Sequence, residues 1–365
     1  MTISVPPLTR RALIGSAVAL GSCPSALFAR GAGGLIAGTY VNEGGPGLVP
    51  LSRGAQGWTA GTPVATIRNA SFGVRSAATG VRYLLDEQSQ GMLGVYTGGL
   101  EKLAMTSTLG ADPCHAALSA DGQRLAVANY SSGSVALFAL DGAGRPIGAA
   151  RRIQHEGSGP NRERQTGPHA HWVGFAAGGR QLHSVDLGAD AVFLHRLGAG
   201  DDVDTSIAYR TEPGAGPRHL ARHPRLPIAY LVTELANTVT VLRAHPDGRF
   251  TALATLSTLP KGFTGASAGA HIAVNAAGTR LYISNRGHDS IAVFAIQRDG
   301  RLTLLQHADC GGHWPRLFLL READGEMLVA NERSGNIARL PLGRDGRLGA
   351  AARGVTLPGV VFLSA

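Results

Sequence analysis

Residues 164–172 read RQTGPHAHW, and the last histidine of that string, His171, opens a short apolar run, HWVGF. The same unit returns at His115 (HAALS), His219 (HLARH), His271 (HIAVN) and Arg316 (RLFLL). Small residues or proline lead into it, as in Pro113-Cys114, Pro217-Arg218 and Trp314-Pro315. After most copies comes a turn, such as Asp121-Gly122, Gly178-Gly179, Ala277-Gly278 or Asp324-Gly325, and then a second apolar run. Second runs cover 125–130, 181–187, 228–235, 280–286 and 326–332, and third runs cover 134–140, 191–197, 238–243, 290–296 and 336–340.

Strand-length apolar runs parted by Gly, Asp and Asn turns indicate an all-β chain. A period of roughly 45 to 55 residues indicates propeller blades, each expected to hold four strands. Two weaker copies bring the innermost strands to seven: one at Phe72, with a second run ending at Asp86-Glu87, and one at Val360. The copy at Val360 has no outer strands after it, while the runs at 34–41 and 47–51 have no blade of their own. The two ends should therefore share a blade, which closes the ring and removes exposed sheet edges. The expectation is one seven-bladed β-propeller domain over residues 30–365.

Residues 1–29 have a different character. Arg10-Arg11 precede a moderately apolar segment rich in Ala, Gly and Ser, and a small residue stands at Ala29. A basic start and a short apolar core describe an export signal, too short for a membrane span. The paired arginines resemble a twin-arginine signal, which implies export in the folded state and a periplasmic or exported location. Leu20-Gly-Ser-Cys23 also resembles a lipoprotein processing site, which would leave a lipid anchor on Cys23. Cys114 and Cys310 fall in different blades and are expected as buried thiols rather than a disulfide.

The net charge of +9 and a pI near 10.1 invite a nucleic-acid partner. The arginines, however, are scattered over turns, with one local cluster at Arg151, Arg152, Arg162 and Arg164 and no basic stripe interleaved with aromatics. That distribution argues against nucleic acid and suits a field that draws in a small anion. A small-molecule ligand and a monomer are expected.

Innermost strands line the central channel, so equivalent positions on successive blades form a ring. That ring would read Phe72, His115, His171, His219, His271, Arg316 and Val360, four of them His in a chain with 13 His among 365 residues. A second ring follows the ends of the second strands: Glu87, Tyr130, Leu187, Glu234, Arg286 and Glu332. One residue earlier stand Asp86, Asn129, Asp186, Thr233, Asn285 and Asn331, which suit turns that bond local backbone. Carboxylates and arginine converging with histidine at a concave mouth make the candidate site. Three His with Glu234 could in principle ligate zinc, but seven-fold radial spacing should hold opposite ring members too far apart, and neither metal nor cofactor is expected.

The strings GADPCHAALSADGQRLAVANYSSGSVALF, RQTGPHAHW with VDLGAD, GPRHLARHP, TEL, and LYISNRGHDSIAVF with LVANE resemble the lactonase family of seven-bladed propellers, in matching order from about Gly34 onward. That family includes propeller-type 6-phosphogluconolactonases and is related to fungal carboxymuconate lactonising enzymes. The resemblance implies a carboxylic ester hydrolase whose working groups are a His, a Glu and two Arg. Matching positions are His171 (or His169) in PHAH, Glu234 in TEL, Arg218 in GPRH and Arg286 in SNRG. The chain departs from the family pattern at Thr233, where Asn is usual, and near Gly269 to His271, where an acidic residue is usual and His271 stands instead.

Lactone hydrolysis needs an activated water and a stabilised oxyanion. His171 is assigned as the base, Glu234 as its partner or an alternative base, and Arg218 with Arg286 as the clamp on the oxyanion and carboxylate. His115, His169, His219, His271 and Arg316 are assigned to substrate binding. An exported location favours an unphosphorylated sugar or aldonic lactone. The alternatives are a non-catalytic binding propeller and a muconate-type cycloisomerase.

Overall fold

The computed structural model describes residues 34–55, 57–198 and 202–365. The export-signal and Cys23 expectations fall outside these residues. Seven four-stranded antiparallel sheets form the blades of a propeller. Their innermost strands, blade 1 to blade 7, are Ala70–Arg75, Pro113–Leu118, Ala170–Phe175, Pro217–Arg222, Ala268–Val274, Pro315–Arg321 and Val360–Ser364. Each inner strand touches the next, and Val360–Ser364 touches Ala70–Arg75, so the ring is closed.

Closure is made by the shared blade that the sequence implies. Val360–Ser364 pairs antiparallel with Leu35–Thr39, and Leu48–Gly54 and Gly57–Ala60 complete blade 7. Among the described residues no helix is long and apolar enough to cross a membrane.

A blade is a sheet covered on both faces, so its second strands are buried throughout, with near-continuous apolar runs rather than strict alternation. Arg82–Asp86, Ile228–Thr233 and Glu326–Asn331 are buried at every position. The core lies between neighbouring blades, as where Leu85 and Leu93 of blade 1 meet Val127 and Ala136 of blade 2.

A repeated latch fixes the blade spacing. Tyr83, Tyr230 and Tyr282 donate their hydroxyls to the carbonyls of Gly144, Gly300 and Gly346 at 2.5, 2.9 and 2.8 Å, each in the outer hairpin of the next blade. His183 reaches Gly248 in the same way at 2.7 Å. All four glycines have positive φ, the conformation that turns the carbonyl back toward the neighbouring blade and that L side chains resist.

Candidate active site

The inner strands do not form the single ring that the repeated His suggests. Each carries a bulge: the register skips one residue between Ala70 and Phe72, Pro113 and His115, Ala170 and Trp172, Pro217 and His219, and Pro315 and Leu317. Aligned on the bulges, the upper level reads Ser71, Cys114, His171, Arg218, Ala270, Arg316 and Val361. The level below reads Phe72, His115, Trp172, His219, His271, Leu317 and Phe362. His171 and Arg316 thus stand one step nearer the mouth than His115, His219 and His271. A bulge re-aims one side chain per strand and is common beside active sites.

The ring at the ends of the second strands is as the sequence implies, and blade 7 supplies its missing member. Its second strand, Leu35–Thr39, ends where Arg82–Asp86 ends, so Tyr40 is the counterpart of Glu87. The residues one step earlier hold the turns: Asn129, Asn285 and Asn331 donate to the carbonyls of Thr108, Thr258 and Cys310 at 2.9, 2.9 and 3.1 Å.

The upper level and the second-strand ring meet in a cavity of about 180 Å³ lined by Glu87, Cys114, Tyr130, Arg164, His171, Glu234, Arg286 and Arg316. Arg218 and His219 lie beneath it against Cys114 and His171. Glu234, buried, is the anchor of one wall. Its Oε1 accepts from Arg164 at 2.7 Å and its Oε2 from Arg218 at 3.0 Å, while the Arg286 guanidinium, which donates to the Gly269 carbonyl, forms an ion pair with Oε2 at 2.8 Å. Burial alone would raise this carboxyl, but Arg286, Arg218, His171 and Arg164 outweigh it and hold Glu234 well below the usual carboxylate range. Glu234 is therefore ionised and fully engaged, which suits a fixed counter-charge better than a proton acceptor.

His171 faces the Cys114 sulfur with Nδ1 at 3.6 Å and meets the Tyr130 ring edge-on. Burial, then Arg218, pushes His171 well below the ordinary histidine range against the pull of Glu234, so the imidazole is neutral at pH 7. The Cys114 thiol is pushed up by burial and by Glu87 and stays protonated. His169 stacks on Tyr130 at 4.6 Å and lies on the wall, outside the cavity lining.

The lower histidines form a floor. Rings of His115 and His219 lie 5.3 Å apart although they belong to blades 2 and 4, and His219 Nδ1 meets His271 Nδ1 at 3.3 Å. Side chains of non-adjacent blades therefore meet across the channel at this level, which radial spacing alone does not suggest, and Phe72 stacks on His115 at 4.2 Å beside them. Burial, then Arg218, pushes His271 down to about 3 and His219 well below its usual range.

Two further contributors complete the walls, Arg164 from outside the repeat and Tyr40 from blade 7. Arg164 comes from the long connection before blade 3, where its Nη2 also donates to Tyr130 at 3.0 Å. Tyr40 donates to Glu87 Oε2 at 2.8 Å and accepts from Arg316 at 2.6 Å. Arg316 also lies 3.6 Å from Glu332, so it is occupied by protein groups on the wall opposite Glu234.

A second His–carboxylate array joins blade 3 to the connection that follows blade 2. Asp186 Oδ2 pairs with His155 Nδ1 at 2.7 Å, His155 Nε2 with Ser184 Oγ at 2.9 Å, and Ser184 Oγ with His195 Nε2 at 2.7 Å. All four are at most 2% exposed.

The family model for the seven-bladed β-propeller lactonases matches residues 34–364. The chain belongs to this family. It is 32% identical over 333 residues to the 6-phosphogluconolactonase of Bacillus subtilis, covering 88% of this chain and 95% of that one. Among solved structures it is similar to the periplasmic gluconolactonase of Pseudomonas aeruginosa, with a TM-score of 0.83, 28% identity, and 91% and 98% of the two chains covered. It is also similar to a putative 6-phosphogluconolactonase of Bacteroides fragilis, with a TM-score of 0.79, 25% identity, and 90% and 96% covered. Family membership supports lactone hydrolysis as the activity of this lactonase-family propeller.

Proposed function

We propose that the protein hydrolyses an unphosphorylated sugar or aldonic lactone outside the inner membrane, with His171 as the base. The observation that carries this reading is the wall at Glu234, where three guanidiniums converge on one buried carboxylate beside a neutral imidazole. Three positive charges against one negative leave that wall at 3 − 1 = +2. The excess stabilises the oxyanion that forms when water adds to the carbonyl, and its donors are fixed before the reaction starts. Neutral His171 takes the water proton, and the resulting imidazolium is stabilised by Glu234. The twin-arginine-like pattern at Arg10-Arg11 and the likeness to a periplasmic gluconolactonase support the location and the unphosphorylated substrate.

Hydrolysis of gluconolactone, its 6-phosphate and a muconate-type diacid by the wild type and by His171→Ala tests this. A wild-type rate on gluconolactone that drops about 10²- to 10⁴-fold in the variant is expected. Preference for the 6-phosphate overturns the substrate. Lactone formation from the diacid, or no turnover at all by a folded protein, overturns the reaction.

A further inference from the structure

The proposed base and oxyanion wall leave one half of the reaction without a group. When the tetrahedral adduct collapses, the bond from the acyl carbon to the ring oxygen breaks, and a sugar alkoxide is a poor leaving group without a proton. The cavity wall opposite Glu234 carries the chemistry for that step.

Glu234 belongs to blade 4 and Glu87 to blade 1, three steps apart in a ring of seven, and both line the same cavity. Their surroundings differ. Glu234 has three guanidinium contacts at 2.7 to 3.0 Å, whereas the one guanidinium beside Glu87, that of Arg316, stands off at 3.9 Å. Arg316 is also shared with Glu332. One guanidinium is divided between two carboxylates on this side, and Arg333 offsets Glu43 beside Glu332. Carboxyl groups crowded around too little positive charge retain a proton.

Resting on the lactonase reading above, we propose that Glu87 is the general acid that delivers a proton to the departing ring oxygen, held in place by Tyr40 and Arg316. The atoms balance as follows. Water loses a proton to His171 while its oxygen bonds to the acyl carbon. The acyl carbon–ring oxygen bond then breaks, and the ring oxygen takes the Glu87 proton. The His171 proton returns to Glu87 through solvent, and the product acid releases its own proton to water.

The groups facing Glu87 agree with this role. Burial raises its carboxyl, opposed by Arg316 and by the hydroxyls of Tyr40 and Ser71, with Asp112 raising it further, and the net direction is upward. Behind it, burial and Glu332 push Glu43 up to about 7. The same wall therefore offers a second carboxyl able to exchange a proton with solvent.

The test is the pH profile of kcat/KM on gluconolactone for the wild type, Glu87→Gln and Tyr40→Phe, with thermal unfolding to check the fold. An acid must be protonated to act, so the wild-type rate is expected to fall on the basic side. In Glu87→Gln that limb disappears and the plateau drops about 10²- to 10⁴-fold. Tyr40→Phe removes a hydrogen bond that favours the ionised carboxylate, so its basic limb moves to higher pH. Dihydrocoumarin, whose phenolate needs less help to leave, is expected to lose about tenfold or less in Glu87→Gln. A basic limb unchanged in both variants, or equal losses on the two lactones, overturns the proposal while leaving the lactonase reading intact. A wild type that turns over neither lactone overturns that reading and this proposal with it.

Discussion

Two histidine–carboxylate arrays draw on blade 3, one buried within it and one at its mouth with Glu234 of blade 4, and by hydrogen-bond geometry alone the buried one looks the more catalytic. Asp186, His155 and Ser184 are linked at 2.7 and 2.9 Å in the order of a hydrolase triad. At the mouth, His171 has a 3.6 Å contact to a thiol, and its neighbour Glu234 is tied to arginines. The difference is access. The blade 3 array is sealed between sheets, where it satisfies buried polar atoms and fastens the connection that carries Arg164 and His169: Asp186 Oδ1 accepts from the His169 backbone N–H at 2.7 Å. The mouth array faces a cavity. A set of residues becomes a site through what can reach it.

The largest expected effects set His171→Ala against His155→Ala. The first should lose about 10²- to 10⁴-fold in kcat/KM with little change in unfolding temperature. The second removes the imidazole partner of buried Asp186 Oδ2 and opens a ring-sized cavity, and should cost about 3–5 kcal/mol of stability, read by denaturant unfolding, while folded protein at low temperature keeps its turnover. If His155→Ala abolished turnover without destabilising, the assignment of the two arrays would be reversed.

A smaller effect is expected for Ser184→Ala, which strips a hydroxyl from two imidazoles at once. About 1–3 kcal/mol of stability should be lost and turnover should change by no more than about twofold. Trapping of Ser184 by an acylating lactone analogue would break the comparison outright.

The smallest and most distributed effect is that of pH on stability. His171, His219 and His271 have folded pKa values pushed below the ordinary histidine value of 6.5. Below 6.5 the unfolded chain takes up protons that the folded chain does not, so stability present above 6.5 is lost as pH falls, for His271 down through about 3. Unfolding temperature should therefore decline through this window, and less steeply in His271→Asn.

The frame of the molecule was legible in the sequence because blade chemistry repeats: turn residues, apolar runs and their period all carry the fold. The ring of Glu87, Tyr130, Glu234 and Arg286 was legible for the same reason, since each follows a turn-forming residue at a fixed offset. The level of the inner-strand residues was not, because the shared His pulls the alignment out of step with the backbone bulge. The proline before the bulge carries the correct signal. Pro113-Cys114, Pro217-Arg218 and Pro315-Arg316 bring Cys114, Arg218 and Arg316 to one level. Arg164 could not be found by repetition, as it lies in a connection with no counterpart. Tyr40 could have been, by counting blade 7 as a full member of the ring.

Blade 7 has a bearing on biogenesis. Tyr40 follows the first strand of the propeller, its partner Arg316 lies in blade 6, and the strand that holds the two ends together is Val360–Ser364. A growing chain can build blades 1 to 6 in succession, yet the Tyr40–Glu87–Arg316 wall comes together only after that final strand has been synthesised and has paired with one made more than three hundred residues earlier. Ligand binding at the mouth would therefore report on a finished ring, and a nascent or C-terminally clipped chain would be blind to its substrate before it was visibly unfolded.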